Sequence, residues 1–172
     1  IDISGTKTWN DADNQDGKRA SEITVRLLAN GNEVASKKVS KNDNWKYSFT
    51  ELPKYDNGSE IMYTITEDAV KDYTTLIDGY NITNSYTPGK TSISVTKVWD
   101  DNNNQDGKRE TSVKVKLLAD GSDVADSEVT LNADNNWTNT WNDIPLKSGG
   151  KDITYTVEET SNVPGYKAEV TG

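Results

Sequence analysis

The sequence predicts an all-β fold, two small antiparallel sandwiches in tandem, and three observations carry that prediction. Apolar and polar residues alternate at a period of two, Tyr63 and Ile65 against Thr64 and Thr66, Ile93 and Val95 against Ser94 and Thr96. Turn-forming clusters, Asn10 to Gly17, Asn30-Gly31-Asn32, Asn42-Asp43-Asn44 and Asp56-Asn57-Gly58-Ser59, cut the chain into short strands. The whole plan then recurs at an offset of about 90 residues.

Taken in order, the opening strand sets Ile3, Gly5, Lys7 and Trp9 on one face, and Thr6-Lys7-Thr8-Trp9 returns as Thr96-Lys97-Val98-Trp99. The loop Asn14-Gln15-Asp16-Gly17-Lys18-Arg19 returns as Asn104-Gln105-Asp106-Gly107-Lys108-Arg109, and the strand Val25-Arg26-Leu27-Leu28-Ala29 as Val115-Lys116-Leu117-Leu118-Ala119. The offset grows by two at Trp45 and Trp137, then holds through Pro53 with Pro145 and Tyr63-Thr64-Ile65-Thr66-Glu67 with Tyr155-Thr156-Val157-Glu158-Glu159. Two domains are expected, residues 1–88 and 89–172, joined near Thr87-Pro88-Gly89-Lys90. Aligning Tyr166 on Tyr73 sets Gly172 opposite Gly79, so the second sandwich is expected to lack its last strand, the counterpart of Ile82-Thr83-Asn84-Ser85-Tyr86. No segment beyond a turn or two has helical spacing, which leaves strand faces and loops to carry function.

Composition narrows the chemistry. Domains near half of 172 residues, with only 32% hydrophobic residues, have small cores that need reinforcement, yet there is no cysteine to supply a disulfide. With no histidine either, thiolate and imidazole metal sites and Ser-His or Cys-His nucleophiles are ruled out. A net charge of -9 argues against nucleic acid and anionic membranes as partners, since both need a basic face. No apolar run approaches the roughly 18 to 20 residues that span a bilayer, and no charged-then-apolar leader opens the chain, so a soluble segment without membrane insertion is expected. Leu52-Pro53-Lys54 reads as a turn: Tyr55-Asp56 follow where a wall-sorting signal has Thr-Gly. Asp11, Asp13, Asp16 and Gly17 approximate a calcium loop, but glycine falls one place late and Asn103 replaces Asp13 in the second copy, which favours an ordinary acidic turn. Trp9, Trp45, Trp99 and Trp137 recur at matched positions, as core packing does and a sugar platform need not. No metal or cofactor is expected.

The anomaly lies in three polar residues on the apolar phase of strands. Lys7 shares a face with Ile3, Gly5 and Trp9; Glu67 follows Tyr63 and Ile65; Asn84 sits between Ile82 and Tyr86. Singly, such a lysine can snorkel to water, such a glutamate can face solvent and such an asparagine can form a turn. Together inside a core, each would cost several kcal/mol unless they compensate one another, which predicts that they meet. A desolvated lysine amine is a nucleophile, and a carboxamide becomes an electrophile once an acid hydrogen-bonds its oxygen and shuttles protons as ammonia leaves. The product is a side-chain amide, formed once and intramolecularly. Lys97 and Glu159 repeat the placement.

These residues resemble the Cna B-type domains of Gram-positive surface proteins and pilins, a family that includes the B-type repeats of staphylococcal collagen adhesins. The likeness covers the whole chain and is carried by Gly5-Thr6-Lys7-Thr8-Trp9-Asn10-Asp11, Asp16-Gly17-Lys18-Arg19, Tyr63 to Glu67 and Ile82 to Pro88. It implies an inverse immunoglobulin-like β-sandwich and a spontaneous isopeptide bond between Lys7 and Asn84 assisted by Glu67. It also implies an extracellular, cell-wall-anchored stalk whose partners are neighbouring repeats and a separate ligand-binding region, and which is no enzyme toward outside substrates. Collagen binding belongs to that other region; the alternative is a module whose acidic loops or open edge contact a matrix protein such as collagen. In the second domain Glu159 and Lys97 are present without their asparagine, so either that edge is looser or a strand from another chain brings an Asn or Asp to Lys97.

Overall fold

The computed structural model describes residues 1–172 and divides into two compact units, Ile1–Pro88 and Gly89–Gly172. In the first, the strands are β1 (Ile3–Asn10), β2 (Glu22–Ala29), β3 (Asn32–Ser40), β4 (Lys46–Phe49), the short β5 (Tyr55–Asp56) and β6 (Ser59–Glu60), β7 (Tyr63–Glu67), β8 (Thr74–Asp78) and β9 (Asn81–Ser85). They form a sheet ordered β4-β1-β9-β8, a second ordered β3-β2-β7, and the β5-β6 hairpin. Ile3, Tyr47, Phe49 and Ile82 from the first sheet meet Ile23, Val25, Leu27, Val39, Tyr63 and Ile65 from the second, so the alternating pattern has built a sandwich core. One pairing departs from the antiparallel expectation: β1 and β9 run parallel, Lys7 opposite Ile82 and Trp9 opposite Asn84. Period-two alternation sets which face a residue takes and says nothing of strand direction.

Local chemistry shapes the connections. Between β3 and β4 the chain makes a single 3-10 turn, Lys41–Asp43, where the Ser40 hydroxyl and Asp43 carboxylate cap reciprocally and Asn44 takes a left-handed φ of 52°. Gly5 is required for a different reason. A Cβ there would lie 1.7 Å from the Tyr80 carbonyl oxygen and 2.6 Å from the Tyr47 hydroxyl, which donates to that same oxygen. Gly5→Ala is therefore expected to destabilise the first unit by about 2–3 kcal/mol, seen as a fall of roughly 10 °C or more in its thermal midpoint. An unchanged midpoint would show that the β8–β9 turn shifts aside freely.

The second unit comprises β10 (Lys90–Thr96), β11 (Ser112–Ala119), β12 (Ser122–Asp123), β13 (Val129–Asn132), β14 (Thr138–Pro145), β15 (Lys147–Ser148), β16 (Lys151–Asp152) and β17 (Tyr155–Glu159). β10 pairs with β14, and β11 carries β13 and β12 along one edge and β17 along the other. Val113, Val115, Leu131 and Val163 centre its core, with Trp99, Trp137, Trp141 and Tyr166 packed against them. Residues 160–172 form no strand: the counterpart of β9 is missing, as the alignment of Tyr166 on Tyr73 predicts, and residues 167–171, which that alignment sets opposite β8, form no strand either.

Candidate functional site

In the first unit the three misplaced polar residues meet. Lys7 lies mid-β1 and Asn84 on the adjacent β9, while Glu67 ends β7 in the facing sheet and reaches across the core. Lys7 Nζ donates to Glu67 Oε2 at 2.9 Å, and Asn84 Nδ2 donates to Glu67 Oε1 at 2.7 Å. Both partners of the ion pair have side chains 0% exposed, and Asn84 is fully buried. One carboxylate thus bridges the amine and the carboxamide.

The electrostatics favour a reactive amine. Burial pulls the Lys7 ammonium below its ordinary range, against the opposing hydrogen bond and charge of Glu67. The Lys7 ammonium also stands 4.2 Å from the centre of the Trp9 ring, which shields it from water. Trp9 is held edge-on by Trp45 and Tyr73 at 5.3 and 5.1 Å. The carboxamide is turned differently from the sequence-based expectation: it presents its NH2 to Glu67, and Oδ1 is the buried atom without a hydrogen bond. Glu67 therefore contacts the carboxamide nitrogen, where an acid on the oxygen was expected.

The second unit repeats part of this geometry. Lys97 Nζ donates to Glu159 Oε2 at 3.1 Å and lies 4.5 Å from the Trp99 ring centre. These side chains are 16% and 10% exposed, and no asparagine joins them. Water reaches this pair as it does not reach Lys7 and Glu67.

Beside each site stands a network that sequence reasoning passed over as an acidic turn. Asp11 is 2% exposed; its carboxylate accepts from Arg19 through Nε at 3.1 Å and Nη2 at 2.6 Å, from the Tyr73 hydroxyl at 2.7 Å and from the Asn14 amide at 2.9 Å. The same set returns as Asp101 with Arg109, Tyr166 and Asn104. Arg19 lies 5.6 Å from the Trp9 ring, so the network packs the tryptophan that covers Lys7. Thr75 was also passed over. Its hydroxyl touches both Glu67 and Asn84, and the signal that would have found it is its place directly opposite Asn84.

Comparison with known proteins shows the family of the chain. The sequence model of the Cna protein B-type domain matches residues 3–85 and again 93–172. The chain belongs to the Cna B-type domain family. A collagen adhesin of Staphylococcus aureus is 56% identical over 168 residues, 98% of this chain but 14% of the adhesin's length. The crystal structure of a single B repeat unit of the S. aureus collagen-binding surface protein matches with 54% identity and a TM-score of 0.50, covering 99% of this chain and 91% of that one. Two consecutive B repeat units match at the same identity and TM-score, this chain spanning 46% of them. One such repeat unit therefore corresponds to both Cna B-type domains of this chain, and the internal duplication is a duplication within the unit.

Proposed function

We propose that this chain is a spacer segment of a cell-wall-anchored surface adhesin, holding a separate ligand-binding region away from the cell. On this reading its first Cna B-type domain is sealed by a self-formed amide bond between Lys7 and Asn84. The single observation that carries the reading is the buried Glu67 carboxylate in contact with both the amine and the carboxamide. Glu67 accepts a proton from Lys7 Nζ, and the neutral amine attacks Cγ of Asn84. As the Nζ–Cγ bond forms and the Cγ–Nδ2 bond breaks, Glu67 carries protons from Nζ to Nδ2. One ammonium and one carboxamide become one amide and one ammonium. Folding supplies the rate by holding the groups together, and no second substrate is turned over.

A bond from first strand to last also serves a spacer, because tension on the domain then passes through a covalent link. The test is intact mass: the chain is expected to weigh less than its sequence by one ammonia, and a chain of full mass overturns the cross-link. The spacer role is tested separately by immobilised collagen, to which this chain is expected to show no saturable binding; saturable binding would make it a ligand-binding module.

A further inference from the structure

We propose that Thr75 is a positioning residue for the cross-link, one that fixes which end of the Asn84 carboxamide faces Glu67. The inference rests on the roles of Lys7, Glu67 and Asn84 proposed above. Thr75 lies directly opposite Asn84 in the antiparallel β8–β9 pair, at the solvent edge of the site. Its hydroxyl donates to Glu67 Oε1 at 2.9 Å and accepts from Asn84 Nδ2 at 2.9 Å, while Nδ2 also donates to Glu67 Oε1 at 2.7 Å. The three groups close a cycle.

The cycle selects an orientation. A terminal carboxamide rotates between two arrangements that exchange its oxygen and nitrogen. A threonine hydroxyl has one proton, and here Glu67 takes it, leaving only lone pairs toward Asn84. Those lone pairs and the carboxylate accept from an NH2 group and repel a carbonyl oxygen. The nitrogen that must leave is therefore held against the acid that protonates it, and the bond that breaks, Cγ–Nδ2, points toward Glu67. On the alignment of Tyr166 with Tyr73, the second domain carries Ala168 at this position and has no such hydroxyl.

The experiment follows cross-linking in time. The full chain and its Thr75→Val, Thr75→Ala and Thr75→Ser variants are purified unfolded, diluted to fold, and sampled for ammonia loss by intact mass, with circular dichroism confirming folding before each series. Thr75→Val and Thr75→Ala are expected to slow the mass change threefold or more, with about tenfold typical for losing one oriented hydrogen bond to a charged group. Thr75→Ser is expected to restore the rate to within threefold of the parent. A folded Val or Ala variant within threefold of the parent rate, or a Ser variant as slow as both, overturns the role of Thr75 while leaving the cross-link intact. A parent chain that never loses ammonia overturns the underlying reading instead. Should Val not fold, Ala and Ser decide.

Discussion

Replacing Glu67 with glutamine is expected to leave the chain at the full mass its sequence dictates, and to lower the thermal midpoint of the first domain by about 20 °C or more. Two effects add. Glutamine cannot take a proton from Lys7, so the amide does not form and the closure of a loop of nearly eighty residues, worth roughly 4–5 kcal/mol by analogy with a disulfide, is lost. The Lys7 ammonium is also left in a site where its side chain has no exposure and no anion, which is costly in its own right. Pairing Glu67→Gln with Lys7→Met separates the two: the double variant removes the nucleophile and both buried charges together, so its midpoint should lie above that of Glu67→Gln alone although neither chain loses ammonia. The second domain is the internal reference, since its unfolding should be unmoved in both. A Glu67→Gln chain that still loses ammonia would show that another group carries the protons.

Asp11→Ala is expected to cost the first domain about 2–4 kcal/mol, less than a fully buried pair would because Arg19 keeps some exposure. The carboxylate does more than pair a charge. Ala12, Asp13 and Asn14 run at φ of 52°, 55° and 61°, three successive left-handed residues, and Asp11 pins that turn through the Asn14 amide. The same carboxyl sets an acid limit. Burial by itself would raise its pKa, but the hydrogen bonds from Arg19, Tyr73 and the Asn14 amide outweigh burial and hold it below the ordinary 3.8. A group depressed on folding contributes stability that is fully present above its unfolded value and is lost as pH falls through the folded one. Denaturant midpoints should therefore be level above about pH 5 and fall below pH 4, and Asp11→Ala should flatten that fall. An equally steep fall in the variant would assign the acid limit to other carboxylates.

Lys7, Glu67 and Asn84 were legible because a strand's period of two assigns faces, and a charged residue on the apolar face stands out without any knowledge of what lies across the core. Three other features were not legible, each for a physical reason. The direction in which β1 meets β9 depends on partners far apart in the chain, and the alternation of each strand is the same either way. Thr75 is an ordinary β-former on an edge strand whose residues are all exposed, and only the register with Asn84 turns its hydroxyl into a site group. Asp11 and Arg19 looked like solvated loop charges because Tyr73, the group that closes over them, is 62 residues away from Asp11. The duplication held a clue: an acid, an arginine and a tyrosine kept together in both copies is more than an acidic turn requires.

The parallel pairing of β1 and β9 also decides where the two ends of the first domain lie. Two neighbouring strands that run the same way bring the chain in at one end of the pair and release it at the other. Had β9 run against β1, both ends of the domain would sit on the same side. With this polarity the points where the chain enters and leaves the first domain are separated by about the length of a strand, roughly 3.3 Å for every residue of β1.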